Sequence, residues 1–287
     1  MRRLLFYCLI PFFAYTAEDD PYFAGTLLST LPVNVAPTHW LIEPYLYIVR
    51  QTTDHLTSAQ LLLQFETGLN DWIDVTLYPN FYYTHSNSHS FYLLGDTKLS
   101  FGFQVLYEEQ ETWIPNFRLL LEESFPTGKY DHLNPHANHA DATGSGAYET
   151  SFTSVLQKTL IPFTLNLTLS YTVPTKVHVK GFNAYGGNSH TNTYLFPGQQ
   201  FVGNIGIEYS LTQVWILALD LHYQHQNASS HPTPTVGLPS QNQFSIAPCI
   251  EYNPSPNFGF EIGSWFTLYT RNCSPFISAV GTIYWSF

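Results

Sequence analysis

The stretch IPFTLNLTLSYTV, residues Ile161–Val173, alternates between two kinds of side chain. From Phe163 onward, every odd position is apolar or aromatic, and every even position is a small polar residue. A period of two is that of a β-strand with one apolar face and one polar face. The pattern leaves open which of the two faces points to the inside of the protein.

The composition favours a membrane-spanning β-barrel. Only 11% of the 287 residues are charged, while 17% are aromatic. Ordinary soluble domains carry about 25% charged residues. The mean hydropathy is −0.08, and no run of ~18 apolar residues predicts a transmembrane helix. Few charges, many aromatic residues and average hydropathy are typical of barrels, whose alternation dilutes the apolar residues.

Alternating segments recur from Trp40 to the last residue, and we count twelve. Each is long enough for the ~9–11 residues that a tilted strand needs to cross a membrane. The segments span residues 40–50, 59–69, 72–84, 91–107, 113–126, 147–158, 162–173, 200–210, 213–225, 242–253, 257–270 and 276–287.

The connections between these segments alternate between long polar loops and short turns, of which Asn70-Asp71 is the tightest. Outer-membrane barrels have short periplasmic turns and long outer loops. A soluble β-sandwich has no reason to sort its connections in this way. We therefore predict an all-β fold, a transmembrane antiparallel up-and-down barrel of 12 strands with both termini periplasmic. Loops 127–146, 174–199 and 226–241 should lie outside, and the apolar strand faces should meet lipid.

The N-terminus resembles a cleaved export signal. Arg2 and Arg3 precede an apolar core, and small residues follow it, so residues 1–17 are predicted to be a secretory signal peptide. Residues 18–38 form a periplasmic N-terminal segment before the barrel of residues 39–287. Three prolines argue against regular structure in this segment. It either hangs free or folds into the lumen as a plug, and the sequence leaves both open.

The charge balance limits the partners. Without Arg2 and Arg3, 8 basic residues face 21 acidic ones, a net charge near −13. Nucleic acid is therefore not an expected partner, because binding to phosphates needs Lys and Arg. We expect contacts with outer-membrane lipids and small solutes. The last strand ends on Phe287 and resembles the C-terminal aromatic signal that the outer-membrane assembly machinery recognises. The alternative is a terminal strand that happens to end in Phe.

The alternation also predicts which charged side chains line the lumen, since a charge facing lipid is costly. Lys98 and Arg118 should pair with Glu66, Glu122 or Glu149, which leaves several carboxylates uncompensated and hydrated. An acidic pore and a merely stabilising polar interior both fit this set. The lumen-lining charged residues are Glu43, Glu66, Asp74, Lys98, Arg118, Glu122, Glu149, Glu208, Asp220, Glu251 and Glu261.

One loop carries a candidate divalent-metal cluster of His132, His136, His139 and Asp141. The spacing matches no compact metal motif, and a solvated loop is the favoured interpretation. We expect no cofactor. The two cysteines beyond the signal peptide, Cys249 and Cys273, are predicted to be free thiols, because one lies in mid-strand and the other in an outer turn.

Four stretches carry strand-entry and turn signals, namely HWLIEPYLYI at residues 39–48, GDTKLSFGFQVL at 95–106, PNFRLLLEESFPTGKYD at 115–131 and GSGAYETSF at 144–152. Together they resemble the MetA-pathway of phenol degradation family of outer-membrane transporters. The resemblance implies an exported barrel, and the family name suggests hydrophobic or aromatic solutes. The motif residues are Gly95, Asp96, Pro126, Thr127, Gly128, Gly144 and Gly146.

The expected function is an outer-membrane channel through which small solutes pass by diffusion along an acidic lumen. The alternative is a non-conducting barrel that displays its loops for structure or adhesion. A third hypothesis is an outer-membrane hydrolase, which would need a Ser nucleophile and a His base at the membrane rim. The only such pair that the sequence offers is Ser124 and His222. No local motif supports that pair, so we expect no enzyme.

Overall fold

The computed structural model describes residues 20–53, 56–86, 89–230, 233 and 235–287. The expected signal peptide, residues 1–17, lies outside these residues. Within the described ranges, no helix is long and apolar enough to span a membrane.

Sixteen strands lie in the described part of the chain. They are β1 (Trp40–Gln51), β2 (Thr57–Asn70), β3 (Ile73–Tyr78), β4 (Asn80–Ser86), β5 (His89–Leu94), β6 (Thr97–Leu106), β7 (Asn116–Phe125), β8 (Glu149–Leu160), β9 (Phe163–Pro174), β10 (Val177–Lys180), β11 (Asn192–Leu195), β12 (Gln200–Ser210), β13 (Trp215–Gln226), β14 (Gln241–Ser255), β15 (Phe258–Arg271) and β16 (Phe276–Ser286).

Fourteen of these strands close into one antiparallel barrel, because β1 pairs with β2 on one side and with β16 on the other. Strands β3 and β4 both pair with β2, so they are two parts of one wall strand. Strands β6 and β5 pair with β3 and β4 in turn, so they are two parts of the next wall strand. The fourteen strands therefore make a wall of twelve. The predicted fold is confirmed. Among the described strands of the barrel, only β5, near the long-loop end, pairs on one side alone. The other strands are paired on both sides, as strands inside a bilayer require.

Two of the predicted strands, 72–84 and 91–107, are not continuous. The first is interrupted at Pro79, which has no backbone N–H to donate to a neighbouring strand. The second is interrupted at Gly95 and Asp96. The local backbone stays paired, because Gly95 N donates to Asn80 O at 2.8 Å and Leu63 N donates to Pro79 O at 3.0 Å.

The strand faces are inverted relative to a soluble protein. In β9, Thr164 is 0% exposed whereas its neighbour Leu165 is 42% exposed. The last strand repeats the pattern, with Thr282 buried and Ile283 exposed. The polar face of the opening stretch therefore points into the barrel, and its apolar face points outward to lipid.

The two ends of the barrel differ. At the short-turn end the chain closes on itself, since Trp40 and Phe287 exchange two backbone hydrogen bonds of 2.8 and 3.0 Å. Phe287 is exposed and its ring lies 4.7 Å from that of Trp285. Its role as an assembly signal stays a prediction.

At the long-loop end, the loops are folded rather than open. Strands β10 and β11 form a separate hairpin within the connection predicted at 174–199. An apolar cluster joins this hairpin to the neighbouring connections through Ala147, Val177, Val179, Tyr185, Leu195 and Val236.

The cysteines are as expected from the sequence. Cys249 is buried in β14, Cys273 is half-buried in the turn between β15 and β16, and both are free thiols.

The lipid-facing side can be tested at Leu169, which is 38% exposed near the middle of β9. Leu169→Arg should lower the free energy of unfolding by ~2–4 kcal/mol, because a charge near the bilayer midplane costs about that much. Guanidinium titration of the protein refolded in lipid vesicles, followed by tryptophan fluorescence, measures the effect. Leu169→Phe is the apolar control, and equal stability of the two variants would contradict the lipid assignment.

Candidate functional site in the barrel lumen

Residues 20–36, which we call the lumen segment, lie inside the barrel. Their backbone and side chains hydrogen-bond with inward-facing residues of strands β3, β6, β7, β9, β12, β13 and β14. The segment has no helix or strand of its own. Its polar backbone groups are therefore satisfied by the barrel wall, as buried amides require.

Asp220 on β13 is the most heavily used anchor of the lumen segment. Its carboxylate accepts hydrogen bonds from the Thr26 hydroxyl, from Leu28 N at 3.2 Å and from Ser29 Oγ at 3.2 Å. Asn204 on β12 adds a further donor at 2.7 Å. Nearby, Glu208 Oε1 accepts from Gly25 N at 3.1 Å. Both carboxylates are buried, so donors of the lumen segment replace the water that they lose on burial.

On the opposite wall, Arg118 joins two carboxylates and the lumen segment. Its Nη2 lies 2.9 Å from Glu66 Oε1 and 2.6 Å from Asp74 Oδ2, and its Nη1 donates to Leu31 O at 2.9 Å. The three charged side chains are at most 1% exposed. Gly102 on β6 lies between them, and a Cβ there would stand 2.2 Å from Asp74 Oδ1, so only glycine leaves room for this ion pair.

Further polar contacts fix the rest of the lumen segment. Asn34 N donates to Gln104 Oε1 at 3.0 Å, and Val35 N donates to Asp74 Oδ2 at 3.2 Å. Asn166 Nδ2 donates to Thr30 O at 3.3 Å, and Asn253 Nδ2 donates to Tyr22 O at 2.7 Å. Apolar packing adds Leu27, which is 2% exposed and lies in one cluster with Ala218, Ala247, Cys249 and Val280.

The lumen segment separates two cavities. The larger, of about 490 Å³, is lined by residues 24–31 together with Glu43, Glu261 and wall residues that include Lys98. The second, of about 450 Å³, opens on the other side of the segment, beside Tyr284 and Ser286 near the short-turn end. Both cavities are lined by Ala24, Leu31 and Glu43. These three residues therefore form the partition between them.

The remaining predicted charges occupy different depths. Lys98 pairs with Glu122 at 2.9 Å, and both are partly open to solvent, at 46% and 20% side-chain exposure. Glu149 is half-buried at the start of β8. Glu43, Glu251 and Glu261 are buried, and Glu251 and Glu261 face each other across β14 and β15. The structure thus brings most of the predicted charges around the lumen segment.

The family-like motif residues converge at one point near the long-loop end. Asp96 accepts a hydrogen bond from Gly128 N at 2.8 Å and another from Ser145 N at 2.8 Å. Thr127, which follows Pro126, donates to Gly95 O at 2.7 Å. A Cβ on Gly144 would lie 2.7 Å from the carbonyl carbon of Gly128, and Gly146 has a φ of +73°. We call this group the rim cluster, and it holds both ends of the loop after β7.

That loop differs from the solvated loop favoured by the sequence. Its Leu133, Ala137, Ala140 and Asp141 are buried, while the three histidines next to them, His132, His136 and His139, are exposed. Asp141 Oδ2 accepts from Lys129 Nζ at 2.6 Å and from Asn134 N at 2.9 Å. The four candidate metal ligands therefore point apart, and nowhere in the described ranges do three or more His, Cys, Asp or Glu side chains form a metal-binding group.

Sequence reasoning missed two parts of the site. One is the supply of hydrogen-bond donors by the lumen segment. The hydroxyl groups of its Thr26 and Ser29 are donors that an inward carboxylate can accept from, and in the sequence they were the usable signal. The other is the aromatic wall of the larger cavity, which includes Tyr45, Tyr47 and Trp265. The odd-position tyrosines of β1 were a usable signal, because they share the face of Glu43.

A comparison with family models identifies the family of this chain. The model of the MetA-pathway of phenol degradation matches residues 4–275. The chain belongs to the MetA-pathway of phenol degradation family. The motif residues of this phenol-degradation family member, from Gly95 to Gly146, are those of the rim cluster.

The fold of this family member is similar to that of solved structures. The crystal structure of an outer membrane channel from Pseudomonas putida F1 is 14% identical, and the match covers 94% of this chain and 100% of that one with a TM-score of 0.69. The β-domain of the Bordetella autotransporter Brka is 7% identical, with 87% and 99% covered and a TM-score of 0.50. These similarities establish the fold. A comparison with curated proteins gives no match.

The rim cluster can be tested with Asp96→Ala, which removes two hydrogen bonds to a charged acceptor. Each is worth ~1.5–3 kcal/mol, so the loss of both should raise the open population of the loop about 100-fold or more. Trypsin cleavage of the folded protein after Lys129, followed on a gel, measures this opening. Asp131→Ala in the same loop is the control, since Asp131 only approaches His132 at 4.0 Å. Equal cleavage of the two variants would contradict the assigned role.

The position of the lumen segment can be tested with Gly206→Val in a Cys273→Ser background. A Cβ on Gly206 lies 2.5 Å from Thr26 Oγ1 and from Ser29 Oγ, and overpacking of this kind costs ~1–3 kcal/mol. The displaced segment should uncover Cys249, which packs with Leu27. We expect Cys249 to react about 10-fold faster with a water-soluble methanethiosulfonate.

Gly203→Val is the matched control for this experiment. Gly203 lies on the same strand, and its Cβ would make an ordinary contact, 3.5 Å from Leu169 Cδ2. The same Cys249 reactivity in both valine variants would show that the lumen segment does not cover this wall.

Proposed function

We propose that this chain is an outer-membrane channel for small solutes, which cross by passive diffusion along an acidic lumen that the lumen segment gates. The observation that carries the proposal is the pair of cavities on the two sides of the segment. Because the cavities share Ala24, Leu31 and Glu43, a modest displacement of the segment joins them into one path.

The contacts of the lumen segment suit a gate. Apart from the apolar packing of Leu27 and Leu28, the segment is held by hydrogen bonds to polar wall residues. A hydrogen bond between neutral groups contributes ~0.5–1.5 kcal/mol net and one to a charged group ~1.5–3 kcal/mol, since water replaces either bond when it breaks. The wall that a displaced segment leaves behind is polar, so water entering the lumen satisfies the groups that the segment releases. Opening therefore need not leave buried polar groups without a hydrogen-bond partner.

Charge sets the selectivity in this proposal. Glu43 stands at the partition between the cavities, and Glu208, Asp220, Glu251 and Glu261 are buried around the segment. Across the described residues, no lysine or arginine forms an ion pair with any of these five carboxylates. A ring of carboxylates favours cations and neutral solutes over anions.

Membership of the phenol-degradation family and the similarity to the Pseudomonas putida outer membrane channel both support a channel over a purely structural barrel. The family description suggests aromatic or hydrophobic solutes. We take small aromatic solutes as the first class to test.

The test is single-channel recording of the refolded chain in a planar bilayer across a KCl gradient. We expect brief openings with cation preference, and Glu43→Gln should move the reversal potential toward zero because it removes the charge at the partition. Asp131→Asn in an outer loop is the control and should leave the potential unchanged.

Folding is checked separately by the heat-modifiable gel mobility of the barrel. A folded sample that never conducts, even as the Gly206→Val variant, would contradict the channel. That result would favour the non-conducting barrel that displays its loops.

A further inference from the structure

The larger cavity has an aromatic wall. The rings of Tyr45 and Tyr47 on β1 are nearly parallel, with centroids 6.1 Å apart and planes at 15°. Trp265 on β15 continues the row, 6.4 Å from Tyr47 and at 65° to it. Leu28 of the lumen segment packs against the same apolar cluster as Tyr47 and Trp265. One side of the cavity therefore offers ring faces and edges to a solute.

Two carboxylates stand beside this aromatic row. Glu43 and Glu261 line the same cavity and are 5% and 4% exposed. They flank Thr282 on β16, which pairs with Glu261 in register and donates to Glu43 Oε1 at 3.4 Å. The two carboxyl groups thus meet at one end of the row of rings.

Neither carboxylate has a cationic partner among the described residues. Lys98, the one lysine that lines this cavity, is paired with Glu122 at 2.9 Å, and Arg118 is committed to Glu66 and Asp74. In addition, Glu261 Oε2 is buried and accepts no hydrogen bond from any described residue. A buried carboxylate oxygen without a donor is costly, and a cation in the cavity removes that cost.

We propose that this cavity is a binding site for organic cations, in which an ammonium group sits at Glu43 and Glu261 and an aromatic or short apolar body lies against Tyr45, Tyr47 and Trp265. Ring faces attract cations within about 6 Å, and charge-assisted hydrogen bonds to carboxylates are the stronger kind. The inference rests on the proposed function, since it names the solute class of that lumen. Neutral isosteres lose the charged contact, and anions are repelled by both carboxylates.

The experiment is isothermal titration of the full refolded barrel in detergent with three probes of similar shape. They are 2-phenylethylammonium, 2-phenylethanol and 3-phenylpropanoate. The ammonium should bind about 10-fold or more tightly than the alcohol, and the propanoate should bind more weakly than either. Equal affinity for the ammonium and the alcohol would overturn the site.

Two variants and a control locate the binding. Glu261→Gln keeps the shape and removes the charge, so the preference for the ammonium should largely disappear. Tyr47→Leu should weaken the ammonium more than the alcohol, because leucine keeps an apolar surface but has no ring face. Asp131→Asn should change nothing. A preference that survives Glu261→Gln would overturn the assignment, and if that variant does not fold, Tyr47→Leu and the wild-type comparison decide.

Failure of the site is distinguishable from failure of the channel. Binding of the ammonium without ionic current supports the site and contradicts the channel. Current with cation preference, but equal binding of the ammonium and the alcohol, supports the channel and contradicts the site.

Discussion

The whole structure depends on how a closed barrel satisfies its inward polar face. Alternation directs small polar and charged side chains into the interior, as Thr164 and Asn166 of β9 show by their near-complete burial. An interior of this kind is stable only if water or protein donors fill it. Here the chain itself supplies donors, since the backbone amides of Gly25, Leu28 and Val35 reach Glu208, Asp220 and Asp74. Barrel wall and lumen segment are therefore two halves of one hydrogen-bonding system.

Ion pairs and glycines shape that interior. Arg118 reaches across β6 to Glu66 and Asp74, because Gly102 leaves the space between them empty of side chain. Its guanidinium also holds the carbonyl of Leu31, so the strongest electrostatic contact of the lumen fixes the lumen segment as well. At the other end, Asp96, just before β6, accepts a hydrogen bond from Gly128 N, where the backbones of Gly128 and Gly144 approach closely. Polar contacts thus secure both ends of the lumen, and the apolar surface is left for lipid.

The wall of the barrel was predictable from the sequence, and its contents were not. Strict alternation in stretches such as Phe163–Val173 specifies strands and their faces, because a period of two assigns every side chain to one side. Interruptions at Pro79 and Gly95 were harder to foresee, since each leaves the alternation on both sides intact. The lumen segment has no period at all, and its prolines fit a free tail as well as a plug. Only the three-dimensional match between its donors and Asp220 decides between them.

The sequence also did not specify which charged side chains form ion pairs or whether the histidines form a cluster. Sequence alone offered Glu66, Glu122 and Glu149 as partners of Arg118, and added Asp74 only to the list of lumen charges. Register and the missing side chain of Gly102 select Glu66 and Asp74. The histidines after Tyr130 are close in sequence, yet each is followed by a buried residue, Leu133, Ala137 or Ala140, and the imidazoles are exposed.

The central claim is that the lumen segment closes the barrel by sitting against β12 and that conduction needs it to move. A disulfide between Gly206→Cys and Ser29→Cys tests this most directly, since a Cβ on Gly206 lies 2.5 Å from Ser29 Oγ. Cys249→Ala and Cys273→Ser remove the native thiols. We predict that the oxidised barrel carries no current in a planar bilayer and that reductant restores openings. Failure of the disulfide to form in the folded barrel, or equal current before and after reduction, would contradict the account.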